Sequence, residues 1–146
     1  MKSLRITLAV AGLFLAGPLF AQQGVQATVP FGFYVGDSQL MPSGTYRITP
    51  CNINNTAVVV RNCNEGVAAF HLTQPTDAKN KDNGKLVFHK YGDMYFLSEV
   101  QGPGLTTNLV LPVAKNEKKV QEDKATVTTF ETVTVPKADQ AKPPKQ

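Results

Sequence analysis

From Val25 to Gly36 the chain alternates without interruption. Val25, Ala27, Val29, Phe31, Phe33 and Val35 are apolar, and Gln26, Thr28, Pro30, Gly32, Tyr34 and Gly36 separate them. A period of two puts the apolar set on one face of an extended strand, whereas a helix would scatter it around its circumference. A strand with one apolar face needs a second layer to cover it, so this segment commits the chain to a packed sheet.

The remainder continues in kind. Met41-Pro42-Ser43-Gly44 offers Pro and Gly at turn positions, and a strand resumes over Thr45–Thr49. Thr56–Arg61 is a β-branched run, residues 62–66 form a turn, and Val67–Leu72 reads as a further strand. Thr73–Gly84 is a polar loop. Lys85–Tyr91 and Met94–Val100 flank Gly92-Asp93, a two-residue loop that signals a tight hairpin. An unbroken ladder there pairs Tyr91 with Met94, His89 with Phe96, Phe88 with Leu97, Val87 with Ser98 and Leu86 with Glu99. Leu105–Leu111 adds another strand. Residues 113–124 are a charged helix or linker, the helix centred on 113–123, with a length marginal on its own. Ala125–Val135 is β-prone, and 136–146 is a disordered tail. The expected fold is one all-β domain over residues 22–135, an antiparallel sandwich or barrel of about seven or eight short strands.

Ahead of this domain, Lys2 and Arg5 precede an uncharged run, Ile6–Phe20, that ends in small residues. That order is the pattern of a secretory signal peptide, here residues 1–21 with cleavage after Ala21. The run is shorter than the roughly 20 residues of a membrane span, and Gly17-Pro18 interrupts it. The mature chain is therefore expected outside the cytoplasm, in the periplasm or beyond the cell, with no transmembrane segment. Lys and Arg number 15 against 11 Asp and Glu, a net of +4; without Lys2 and Arg5 the excess falls to two. Seven of the remaining lysines lie from Lys115 onward. A weakly basic tail on a near-neutral body is no nucleic-acid footprint.

Export bears on Cys51 and Cys63. An even count in an oxidising compartment favours one disulfide. A simple hairpin of Thr45–Pro50 and Thr56–Arg61 opposes it, because the two residues would then lie about 16 Å apart, against a limit of about 7 Å between Cα atoms. Either residues 51–56 turn a corner and the bond forms, or the thiols stay separate.

Three segments carry a resemblance: Val29-Pro30-Phe31-Gly32-Phe33-Tyr34-Val35-Gly36; Pro42-Ser43-Gly44-Thr45-Tyr46; and Phe88-His89-Lys90-Tyr91-Gly92-Asp93. They resemble a group of exported proteins common in Acidobacteria, with the pattern VPF-x-F-x-VG, P-x-G-x-Y and F-H-[KR]-Y-G-D. The likeness spans roughly residues 28–123, and the hairpin is its most specific part. It implies a shared fold and export and implies no activity. The two cysteines and the Thr-rich segment 125–135 fall outside the pattern.

Chemistry is sparse. His71 and His89 are the only histidines, too few for a catalytic zinc site without carboxylate help. Lys79 and Lys81 break the calcium-loop spacing between Asp77 and Gly84. There is no G-x-S-x-G elbow; Ser98 shares a hairpin face with His89, but the sequence offers no orienting acid. Asp93 reads as a turn former, and Glu99 is the one charge in an apolar hairpin. Tyr34, Tyr46, Tyr91 and Tyr95 are candidates for a carbohydrate platform, though Trp, the best stacking residue, is absent. The expectation is an exported structural or binding module of the cell envelope, with no catalytic, cofactor or metal residues assigned. Its partner is an envelope component, or a second copy joined through 125–135. The rival is a secreted hydrolase or metal-binding protein built on His71 and His89, with Asp93 and Glu99 as further candidates.

Overall fold

The computed structural model describes residues 24–78, 84–102, 105–124 and 129–135, the last stretch and residue 124 by backbone alone. The expected leader, the tail and residues 125–128 lie outside them. Among the described residues, eleven strands and one helix run in the order β1 (Val25–Val29), β2 (Phe33–Val35), β3 (Gln39–Met41), β4 (Gly44–Pro50), β5 (Ala57–Asn62), β6 (Ala68–Leu72), β7 (Gln74–Asp77), β8 (Gly84–Tyr91), β9 (Met94–Gln101), β10 (Thr107–Val110), α1 (Lys115–Lys124) and β11 (Thr129–Val135). One sheet has the order β1-β4-β5-β6; the other runs β11-β8-β9-β10-β7, with β2 and β3 attached beside β9. The fold is all-β and sandwich-like. Both hydrogen-bonded paths are open, so the barrel alternative does not describe these residues.

The long alternating segment bends at Pro30–Gly32. β1 pairs antiparallel with β4, and β2 pairs with β3 and touches β9 through a parallel Tyr34–Phe96 bridge. One extended run thus serves both sheets. Its alternation survives the corner because both inner faces meet one core: Val25, Ala27, Val29, Phe33 and Val35 are all buried. Phe33 packs edge-on against Tyr46 of the first sheet and Phe88 of the second, at 5.0 and 5.2 Å between ring centroids. Phe31 meets Phe88 edge-on and stacks on Tyr95.

The β8–β9 hairpin turns at Gly92-Asp93 as expected, with Gly92 at φ 61°. Its far half departs from the unbroken ladder. Phe88 pairs with Leu97, but Val87 pairs with Glu99 and Leu86 with Val100. Ser98 is the extra residue of a β-bulge. Leu97 and Val100, three apart, therefore both face the core, and Glu99 leaves the place opposite Leu86 that straight pairing gave it.

Two further departures concern strands. Residues 74–77, expected as loop, form β7 against β10. Pro75 is tolerated there because β7 is the last strand of its sheet. The segment expected over 125–135 is present in its described part as β11, antiparallel to β8 from Thr129–Lys90 to Val135–Gly84.

The expected Cys51–Cys63 disulfide is not formed; both cysteines are free and exposed. β4 and β5 make a hairpin closed by Asn55 at φ 55°, not a corner. The amide of Cys51 donates to Ala57 O beside the closed end, and that of Cys63 donates to Thr45 O at the open end. Six residues of strand, about 20 Å, therefore separate the cysteines, beyond any disulfide. Thiol titration of the native protein is expected to count two free thiols per chain, with the Cys51→Ser, Cys63→Ser double variant unchanged in denaturation midpoint. One bond per chain in the intact mass would overturn the assignment.

Among the described residues no helix is long and apolar enough to cross a membrane.

Candidate functional site

α1 is hydrophilic, and an isolated helix of 10 residues is unstable in water. Two acidic side chains hold it in place. The first is Asp37, in the turn between β2 and β3. Ala114, which precedes the helix, has no side-chain acceptor for the free amides of the first turn. Asp37 Oδ1 accepts instead from the backbone N–H of Lys115 (2.5 Å) and of Asn116 (3.4 Å). Removing it in Asp37→Ala is expected to cost about 1 kcal/mol, read as a lower denaturation midpoint with reduced helical signal. An unchanged midpoint would show that the contact does not hold the helix.

The second is Glu117, one turn into the helix, where a negative charge also suits the helix dipole. It is 4% exposed. Its Oε1 accepts from His89 Nδ1 at 2.5 Å and from the Tyr91 hydroxyl at 3.0 Å. With Nδ1–H so engaged, His89 Nε2 is left as the acceptor for the Ser98 hydroxyl, 3.0 Å away. Ser98, His89 and Glu117 thus form one chain of hydrogen bonds on the outer face of the seven-stranded sheet. The bulge aims Ser98 toward His89, β8 supplies the imidazole, and α1 supplies the acid that sequence reading did not find. Its one trace in the sequence is spacing: Ala114, Glu117 and Val120 recur every third residue, and a carboxylate stands where an apolar side chain would continue the stripe. Chemically the row can move a proton from a hydroxyl to an imidazole held by a carboxylate. It equally fastens a helix to a sheet.

The other candidates lie elsewhere. His71 is on β6 of the four-stranded sheet, with Nδ1 2.9 Å from Leu72 O. Its ring lies against Gly36, which sits at φ +67° with no room for a Cβ. His71 and His89 thus stand on different sheets, and among the described residues no three His, Cys, Asp or Glu side chains cluster as a metal site. Asp93 is exposed in the hairpin turn. Glu99 accepts from Gln101 Nε2 at 2.8 Å.

The tyrosines form no common platform. Tyr46 is buried and donates to Pro42 O, which explains the P-x-G-x-Y spacing as a strand start pinned to its own turn. Burial also holds its phenol above the ordinary tyrosine range. Tyr91 is buried beneath α1, Tyr34 stacks on Phe96, and Tyr95 stacks on Phe31.

The outer face of the four-stranded sheet differs from all of this. Arg47 and Arg61 are cross-strand partners on β4 and β5 and both are exposed. They flank a depression of about 390 Å³ lined also by Thr49, Pro50, Cys51 and Val59. Next to Val59 on β6 lies Phe70, 64% exposed, followed on the same face by Leu72, 63% exposed. Sequence reading did not single out these residues; only the register brings them together.

Fold and surfaces together define a two-sheet β protein with a helix clasped to one outer face and, among the described residues, an exposed cationic and apolar surface on the other. Set against known protein families, curated proteins and solved structures, the chain matches none.

Proposed function

We propose that this chain is an exported, non-catalytic binding module of the cell envelope. The observation that carries the reading is the outer face of the four-stranded sheet, where Arg47 and Arg61 line a depression and Phe70 and Leu72 stand exposed on the strand beside it. Large apolar side chains left in water beside unpaired charge mark a binding surface better than a solvated one. The leader-like residues 1–21 and the resemblance to exported Acidobacterial proteins support the address. An envelope component is favoured over a second copy of the chain because Thr129–Val135 already pairs with β8. The test is expression of the full chain in a bacterial host. The reading expects a mature protein beginning at Gln22 that sediments with envelope fractions. An uncleaved chain, or a mature one free of those fractions, would refute it.

The Ser98–His89–Glu117 row favours a second reading, a secreted hydrolase. A fluorophosphonate probe separates the two. The binding module leaves Ser98 unlabelled, whereas labelling at Ser98 that disappears in His89→Ala would establish the hydrolase.

A further inference from the structure

We infer that the depression on the four-stranded sheet is a site for a phosphate monoester carrying an apolar chain, with Arg47 and Arg61 on the phosphate and Val59, Phe70 and Leu72 along the chain. This rests on the reading of the protein as a binding module and names the chemistry of its ligand.

The argument begins with charge. Antiparallel pairing sets Arg47 directly across from Arg61. Side chains so placed have Cβ atoms about 5 Å apart, and like charges there destabilise the sheet. Among the described residues neither guanidinium has a carboxylate within ion-pair distance; Arg47 has only a 3.5 Å contact to Gln26 Oε1. Two adjacent cations without an anion on a rigid pair of strands form a fork suited to a dianion. Guanidinium pairs bind phosphate oxygens through parallel N–H donors. A phosphate monoester carries a charge close to −2 at neutral pH, matching the two arginines where a single carboxylate would leave one unpaired.

The apolar half follows from the same register. One step along the face from Arg61 is Val59, which pairs with Phe70, and one step further Leu72 pairs with Ala57. The surface therefore changes from cationic to apolar within two rows of one sheet. The depression lined by Arg47, Arg61 and Val59, about 390 Å³, lies in the range of sites for small molecules, roughly 300–1,000 Å³, and Phe70 and Leu72 extend the apolar end on the sheet face beside it. Inorganic phosphate would leave the apolar end empty, and a neutral chain would leave the arginines opposed. An alkyl phosphate satisfies both ends.

The test is calorimetric titration of the full mature protein with octyl phosphate below its micellar concentration, beside inorganic phosphate and neutral octyl glucoside. Octyl phosphate is expected to saturate one site at least about tenfold more tightly than either control. Arg47→Gln, Arg61→Gln should remove that advantage without lowering thermal stability, since it relieves a like-charge pair. Phe70→Ser should weaken octyl phosphate and leave inorganic phosphate unchanged. Equal binding of octyl phosphate and octyl glucoside, or binding unaltered in the double arginine variant, would overturn the proposal. Flotation with phosphatidylcholine vesicles containing phosphatidic acid separates the sources. Capture by vesicles without saturation by octyl phosphate would replace the single-ligand site with a membrane surface and overturn it too. If the double arginine variant loses octyl phosphate yet still sediments with the envelope, the site stands and its link to that association fails. If the unaltered protein binds octyl phosphate but leaves the envelope fractions, the envelope reading fails and the site stands.

Discussion

Phe88→Ala is expected to cost about 3–5 kcal/mol, the range for deleting a fully buried aromatic ring. Phe88 has no exposed surface and lies on the core face of β8. Phe31 and Phe33 present their rings to it edge-on at centroid distances of 5.1 and 5.2 Å. Its loss removes the contact shared by both aromatic residues of the VPF-x-F segment, so the cavity opens where the two sheets are held together. A domain of this size has a total stability of about 5–15 kcal/mol, so the variant sits near the edge of folding at 37 °C. Chemical denaturation measures it directly. A midpoint shifted by less than Leu86→Val shifts it would mean that this ring is not the centre of the core.

Glu117→Ala is expected to cost about 3 kcal/mol, as two hydrogen bonds to a buried carboxylate vanish from beneath the helix. Glu117→Gln should cost less than half of that, because an amide oxygen still accepts from both partners. Limited proteolysis adds a structural readout. In the alanine variant α1 should be cut while β8 and β9 stay intact. Equal losses for alanine and glutamine would mean that packing rather than the acceptor holds the helix. Robust resistance to cleavage in both would mean that Asp37 alone is sufficient.

What could be read in the chain was mostly local. The odd-numbered stripe from Val25 to Val35 is buried as its alternation required, apart from Phe31, which the corner leaves partly buried, and Gly92-Asp93 turns the hairpin it announces. The corner at Pro30–Gly32 was hidden because both sheets share one core, so alternation continues across it. The bulge at Ser98 had a signal in Glu99, which straight pairing set opposite buried Leu86; an unpaired carboxylate in such a place is a reason to shift the ladder. Asp37 and Glu117 act on partners far away in sequence; nothing near Asp37 marks it as a cap, and Glu117 is marked only by its place in the spacing of Ala114 and Val120. Arg47 and Arg61 are unremarkable until β4 and β5 are set in register. Long-range pairing made the sites, and single-chain patterns do not encode it.

The corner at Pro30–Gly32 also orders the assembly of the protein in time. β4–β5, β5–β6 and β8–β9 are neighbours in sequence and can close as short loops, whereas Tyr34 of β2 waits for Phe96 of β9. Closing the longer loop gains its contacts only after more chain entropy has been lost. The seam between β2 and β9 is therefore among the last contacts to be fixed, and until then Phe33 lacks its partner Phe88. Pulse-labelled hydrogen exchange during refolding should find the amides of β8 and β9 protected before those of β2. Simultaneous protection would mean that the two sheets form in one step.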